Sequence, residues 1–279
     1  MGAKTYHFIS GLPRSGSTLL TCLLRQNPRF QAGVTSPVAA LFRAVIDQFS
    51  SGNEISGMVD PNQRANILRA LFGSYYDDCP REIVFDLNRA WTANLTDLLT
   101  LFPGSKVICL VRNVGWIMDS LERQFRSASF ENTRLFQAPA EGSTVYTRLE
   151  ALANSDRLVG FPYHALREAC YSDHADRLVL VDYDLLAARP ADVMGLLYEF
   201  LGEEPFDHFF EGLDYDEPEY DSQLGMSGLH RVHPEVAPRP RRTILPPDLF
   251  QRYAQMDFWR EMADSKAFRL VLDQTSPAT

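Results

Sequence analysis

Long apolar runs, paired cysteines and an excess of basic residues are all missing from this chain of 279 residues. The longest uninterrupted apolar stretches, such as VICLV at 107–111, fall far short of the about 20 residues needed to span a bilayer. No apolar leader stands before the first strand-like run, so a cytoplasmic chain with no membrane partner is expected. The four cysteines, Cys22, Cys79, Cys109 and Cys170, are scattered without a CxxC pair, which excludes a disulfide framework and a cysteine-based zinc site. No metal is expected. Lysine and arginine number 27 against 36 acidic residues, a formal charge of −9, and such a surface does not displace counterions from nucleic acid. Any anion site is therefore local.

What is present is an alternation. Strand-like runs at TYHFIS (5–10), EIVFD (82–86), KVICLV (106–111) and RLVLVD (177–182) are separated by segments with helical spacing, over 17–26, 37–50, 61–76, 91–102, 114–127, 146–157, 163–173 and 190–201. Uninterrupted apolar character in VICLV and LVLV means that both faces are covered, so the expected fold is an α/β three-layer sandwich on a central parallel sheet. One domain over 1–279 is expected. Its irregular part is about 203–245, acidic and aromatic at EEPFDHFFEGLDYDEPEYD and basic and proline-rich at RVHPEVAPRPRR; a lid over an anionic ligand is its functional expectation, with a solvated loop as the alternative.

The stretch FISGLPRSGSTLL (8–20) runs from a strand through a glycine loop into a helix, the arrangement that cradles phosphate on inward backbone N–H groups. Gly11 and Gly16 have the separation of the GxxxxGK[ST] loop, but Ser17 stands where the lysine belongs and Arg14 lies inside the loop. Arg14, Ser15, Gly16, Ser17 and Thr18 are the expected anion ligands, with Arg14 able to neutralise a phosphate without metal. A second anion site is expected at VICLVRNVGWIMDSLERQFR, where Arg112 ends a strand and Ser120 follows two turns into the next helix. Two such sites fit a nucleotide phosphorylated on both sides of its ribose.

These residues resemble a known family. PRSGSTLL is similar to the 5′-phosphosulfate loop, and VRNVGWIMDS to the 3′-phosphate motif, of sulfotransferases that use 3′-phosphoadenosine-5′-phosphosulfate; LVDYDLLAARP, VFDLNRAW and GLHRVHPEV resemble further segments of that family. The likeness runs from residue 8 to about 250. It implies a P-loop NTPase-like sulfotransferase fold, that cosubstrate, and a cofactor site of Arg14, Ser15, Gly16, Ser17 and Thr18 on the 5′ side with Arg112 and Ser120 on the 3′ side. The loop arginine is similar to the tyrosylprotein branch, yet the glutamate that branch uses falls at Thr35 here, and Leu87 stands where relatives often carry lysine. A small-molecule acceptor, through a hydroxyl or an amine, is therefore expected.

For the proton-accepting base, Asp86 at the end of the second strand-like run and His230 in the basic segment are the candidates, and with Arg14 they make the expected catalytic set. Arg89 and Trp91 are candidate walls of the acceptor pocket; Tyr183 and His7 are expected to be structural. Two alternatives stay open: a magnesium-dependent kinase in which Asp86 holds the metal, and a nucleotide-binding protein without catalysis.

Overall fold

Uninterrupted valine, isoleucine and leucine leave VICLV and LVLV no polar face to turn to water, and both runs become strands buried on two sides. The computed structural model describes residues 4–50, 52, 54–127, 135–224 and 228–272. Its strands are β1 (Thr5–Gly11), β2 (Phe30–Ala32), β3 (Ile83–Leu87), β4 (Val107–Val111), β5 (Leu178–Asp182) and β6 (Phe268–Leu270), which form one parallel sheet in the order β2-β3-β1-β4-β5-β6. The described α-helices are α1 (Ser17–Leu24), α2 (Val38–Gln48), α3 (Pro61–Tyr75), α4 (Leu95–Leu101), α5 (Val114–Ser127), α6 (Val145–Ala153), α7 (Gly160–Cys170), α8 (Tyr183–Ala188), α9 (Pro190–Leu201), α10 (Pro218–Leu224) and α11 (Pro247–Ala254). None of the described helices is long and apolar enough to cross a membrane.

The pleat sorts side chains between two cores. Val107, Cys109 and Val111 of β4 pack with α2, α3, α5 and α7 residues such as Phe42, Phe72, Ile117 and Leu166. Ile108 and Leu110 turn to the other face and join Leu20 and Leu23 of α1 and Leu197 of α9. The three layers follow from that division, as expected.

Differences from expectation are local. β2 and β6 were not expected; each is three residues long at a sheet edge, too short to show a period. The helix expected over 91–102 opens with a 3₁₀ turn at Thr92–Asn94 before α4. The stretch 203–245 is more ordered than its composition implies. Its two limbs bond to each other through Leu213 N–H to Pro234 O (2.9 Å), Val232 N–H to Tyr215 O (2.9 Å) and Val236 N–H to Phe210 O (2.9 Å), with α10 between them; residues 225–227 lie outside the described residues. Phe206, Phe210, Val232 and Val236 pack this ribbon on the α1 and α9 side of the sheet.

After β3 the chain crosses from one side of β1 to β4 on the other. In open parallel sheets the crevice at the strand C-termini lies at such a reversal. The loops that follow β1, β3, β4 and β5 converge there.

Candidate functional site

The loop after β1 is shaped by two glycines. Gly11 has φ of +105°, and a Cβ there would overlap the Leu110 backbone of β4. Gly16, at φ of +95°, caps α1, and a Cβ would come within 2.5 Å of the Tyr183 ring. Between them Arg14 holds φ of +56°, a left-handed conformation that a non-glycine residue adopts at a cost of about 1–3 kcal/mol. Ser15 supports it: its fully buried hydroxyl contacts Leu12 O and Leu110 O, the latter at 3.1 Å. That hydroxyl, expected to face the anion, is turned into the protein and is absent from the cavity wall, so Ser15 has only its backbone N–H to offer a ligand. Arg14, Gly16, Ser17 and Thr18 do line a cavity of about 540 Å³.

Arg112 lines the same cavity. It donates through Nη1 to Arg14 O (3.1 Å), and Arg14 Nε donates to Ser120 Oγ (3.1 Å), so the two expected anion sites are in direct contact. Ser120 lines an adjoining hollow of about 410 Å³ that shares Arg112 and Arg241 with the first. Tyr183, at the start of α8, carries both shared arginines on its ring, Arg112 at 4.5 Å and Arg241 at 5.1 Å from the centroid. Arg112 Nε is buried without a hydrogen-bond partner. Burial lowers the pKa of Arg14 and Arg112, and for Arg14 the neighbouring Arg112 charge adds to it. In a chain of net charge −9, the large cavity collects Arg14, Arg89, Arg112, Arg231, Arg239 and Arg241 around one carboxylate, Glu235, among the described residues. Low-dielectric walls lined by one sign of charge concentrate counter-ions of the other.

The opposite wall is built by β3 and the ribbon. Asp86, expected near the reacting atoms, is fully buried and outside the cavity wall. Its carboxylate accepts from Ser36 Oγ (2.6 Å), Tyr76 OH (2.6 Å) and Trp91 Nε1 (2.8 Å). Burial raises its pKa and the three donated bonds oppose that rise. With its oxygens occupied in the core, Asp86 has no path to an acceptor proton or a metal; it ties β3 to α2, α3 and the following turn. Trp91 is likewise buried rather than in the cavity wall.

His230 lines the cavity. Its Nδ1 lies 2.5 Å from Asp221 Oδ1, and its backbone N–H donates to Asp221 Oδ2 (3.0 Å). Asp221, on α10, is fully buried, and Tyr220 beside it packs on the His230 ring with centroids 5.3 Å apart. A neutral imidazole held this way keeps its proton on Nδ1 and a lone pair on Nε2. Asp221 carries no local sequence signal, because it sits nine positions before His230 in a stretch whose acidity reads as solvation. Tyr183 was expected to be structural and Arg241 fell in the basic segment expected as a lid, but their stacking was not legible, since a cation on a ring has no spacing rule.

Comparison with known proteins identifies the family and the fold. Nodulation protein NoeE of Sinorhizobium fredii is 24% identical over 230 residues, which is 75% of this chain and 53% of NoeE, so the chain spans about half the length of that relative. The sulfotransferase domain from the curacin biosynthetic pathway superposes with a TM-score of 0.56 at 18% identity, over 91% of this chain and 97% of that one. The sulfotransferase STF9 from Mycobacterium avium superposes with a TM-score of 0.52 at 16% identity, over 96% of this chain and 79% of that one. Residues 7–208, most of the sheet and the whole of both anion loops, match the model of the sulfotransferase family, and the chain belongs to that family.

Proposed function

We propose that the chain, as one domain, is an enzyme that moves a sulfuryl group from 3′-phosphoadenosine-5′-phosphosulfate to a hydroxyl or amine of a small acceptor. The observation that supports it most is the joined pair of cationic clefts, with Arg14 bridging the first loop to Ser120 and the Arg112 Nε donor left without a partner. The fit is chemical: both ends of the nucleotide are anionic, and each cleft offers a guanidinium, a hydroxyl and backbone or stacked support. The bound nucleotide supplies an activated sulfuryl group and a phosphate leaving group.

In this reading Gly16, Ser17 and Thr18 hold the 5′ side at the start of α1, with the Ser15 backbone N–H. Arg14 stabilises charge gathering on the leaving phosphate, as a preorganised donor does without reorganising. Arg112, Ser120 and Arg241 hold the 3′ phosphate. His230 takes the acceptor's proton on Nε2, and Asp221 orients the ring and stabilises the imidazolium that results. A kinase reading loses its magnesium ligand, since the Asp86 oxygens are committed to three donors.

Calorimetry tests this. Titration with 3′,5′-adenosine bisphosphate in the presence of chelator is expected to give saturable one-site binding that Arg112→Ala weakens at least tenfold, while ATP with magnesium binds no more tightly. Binding of ATP with magnesium alone would replace this reading with the kinase.

A further inference from the structure

Arg89 stands apart from the other cavity arginines. It lies at the apex of the turn that follows β3, where Asn88 Oδ1 accepts from Ala90 N–H (3.0 Å) and Trp91 N–H donates to Asn88 O (3.2 Å). The turn is held from outside as well. Ser10 Oγ donates to the Arg89 carbonyl (3.2 Å), Asn88 Nδ2 donates to Thr35 Oγ1 (3.0 Å), and Trp91 is tied to Asp86. A turn so fixed presents its apex side chain in one direction. Arg89 lines the cavity and its side chain is exposed to solvent there.

No hydrogen bond or ion pair reaches its guanidinium from the described residues; Tyr220 is its one electrostatic neighbour. The protein atoms around the exposed guanidinium lower its pKa through partial desolvation. Arg14, Arg112 and Arg241, by contrast, have a serine, a carbonyl, a ring or a carboxylate to rest on.

Its position decides which anion it serves. Arg112 and Tyr183 follow β4 and β5, on one side of β1, whereas Arg89 follows β3 on the other. Tyr220 joins Arg89 to the His230 ring. Arg89 is therefore on the wall of the base, across the first loop from the 3′ cleft.

We infer that Arg89 is a specificity residue that binds an anionic group, a carboxylate, sulfate or phosphate, of the acceptor itself, so that the substrates of this site are hydroxyl or amino compounds bearing negative charge. This rests on the sulfuryl-transfer reading. A guanidinium fork matches planar or tetrahedral oxyanions through two parallel hydrogen bonds, which lysine does not reproduce.

The test uses the full chain in two stages. Calorimetry with 3′,5′-adenosine bisphosphate first compares wild type with Arg89→Gln and Arg89→Lys. Equal affinity is expected; failure of wild type to bind the nucleotide would overturn the sulfuryl-transfer reading itself. The nucleotide-loaded proteins are then titrated with three matched pairs: glucuronate and glucuronamide, 4-hydroxyphenylacetate and its amide, 3-hydroxyoctanoate and its amide. In at least one pair the acid is expected to bind wild type roughly tenfold more tightly than the amide, from one charge-assisted hydrogen-bond pair. That preference should vanish in Arg89→Gln and persist in part in Arg89→Lys. Two results overturn the inference: no preference for the acid in any wild-type pair, or a loss of nucleotide affinity in Arg89→Gln as large as in Arg112→Ala, which would assign Arg89 to the donor.

Discussion

Arg14 and Ser120 are 106 positions apart in sequence, and the guanidinium Nε of the first meets the hydroxyl of the second at 3.1 Å. A loop residue after β1 and a helix residue after β4 thus share one hydrogen bond across the crevice. In the proposed reaction, replacing Arg14 by Ala removes a preorganised donor to the leaving group, and it also breaks the contact that joins the two clefts. Turnover is expected to fall about 10²- to 10³-fold, in line with about 3 to 4 kcal/mol for such a donor. Arg14→Lys should recover part of it, because the charge stays but the contact with Ser120 changes. Steady-state rates with a sulfate donor and an acceptor found by mass gain give the measurement.

Asp221→Asn keeps the shape of the His230 contact and removes the charge behind it. If His230 is the base, His230→Ala should lower kcat about 10²- to 10⁴-fold. Asp221→Asn should lower kcat by less, because the ring loses part of the contact that orients it. A loss of stability with kcat of the folded fraction unchanged would give Asp221 a purely structural role.

Asp86→Ala leaves Ser36, Tyr76 and Trp91 with buried donors and no acceptor. Each unsatisfied donor costs about 1–3 kcal/mol, so a stability loss of about 3 to 5 kcal/mol is expected in urea unfolding. The pH–rate profile of the folded fraction should keep its shape. A profile that loses its basic-form limb while stability holds would return Asp86 to the reaction.

His7 offers a test that involves no ligand. Its ring is buried in β1, Nδ1 accepts from Lys106 N–H (3.1 Å), and burial holds its pKa at about 4, well below the ordinary 6.5. Between pH 6.5 and 4 the unfolded chain takes a proton that the folded chain refuses, so this contribution to stability is complete above pH 6.5 and declines as pH falls toward 4. Asp182 titrates in the opposite sense, because burial raises it to about 6. Comparison with His7→Asn isolates the imidazole: wild type should lose about 3 kcal/mol relative to the variant between pH 7 and pH 4.

Much of the architecture was legible because it depends on period and punctuation. TYHFIS and KVICLV became β1 and β4, and the glycine spacing of the first loop located the crevice. β2 and β6 escaped notice because three residues at a sheet edge show no periodicity. At the candidate site, Arg14, Arg112 and Ser120, singled out by motif, are brought together by the fold, while the Ser15 hydroxyl and the Asp86 carboxylate are not in the cavity wall. Their residue types suit a ligand, but only the packing reveals that the Ser15 hydroxyl faces Leu110 O and that three donors surround Asp86. Asp221 lay in an acidic run in which it alone of the carboxylates is fully buried among the described residues, and nothing in composition separates it from the others.

Tyr183 has one ring to share between two guanidiniums that arrive from different parts of the chain. Their energies are therefore not independent. Deleting either arginine lets the other resettle and compensate, so the double replacement of Arg112 and Arg241 should exceed the sum of the single losses, and the excess should disappear when Tyr183 is replaced by Leu.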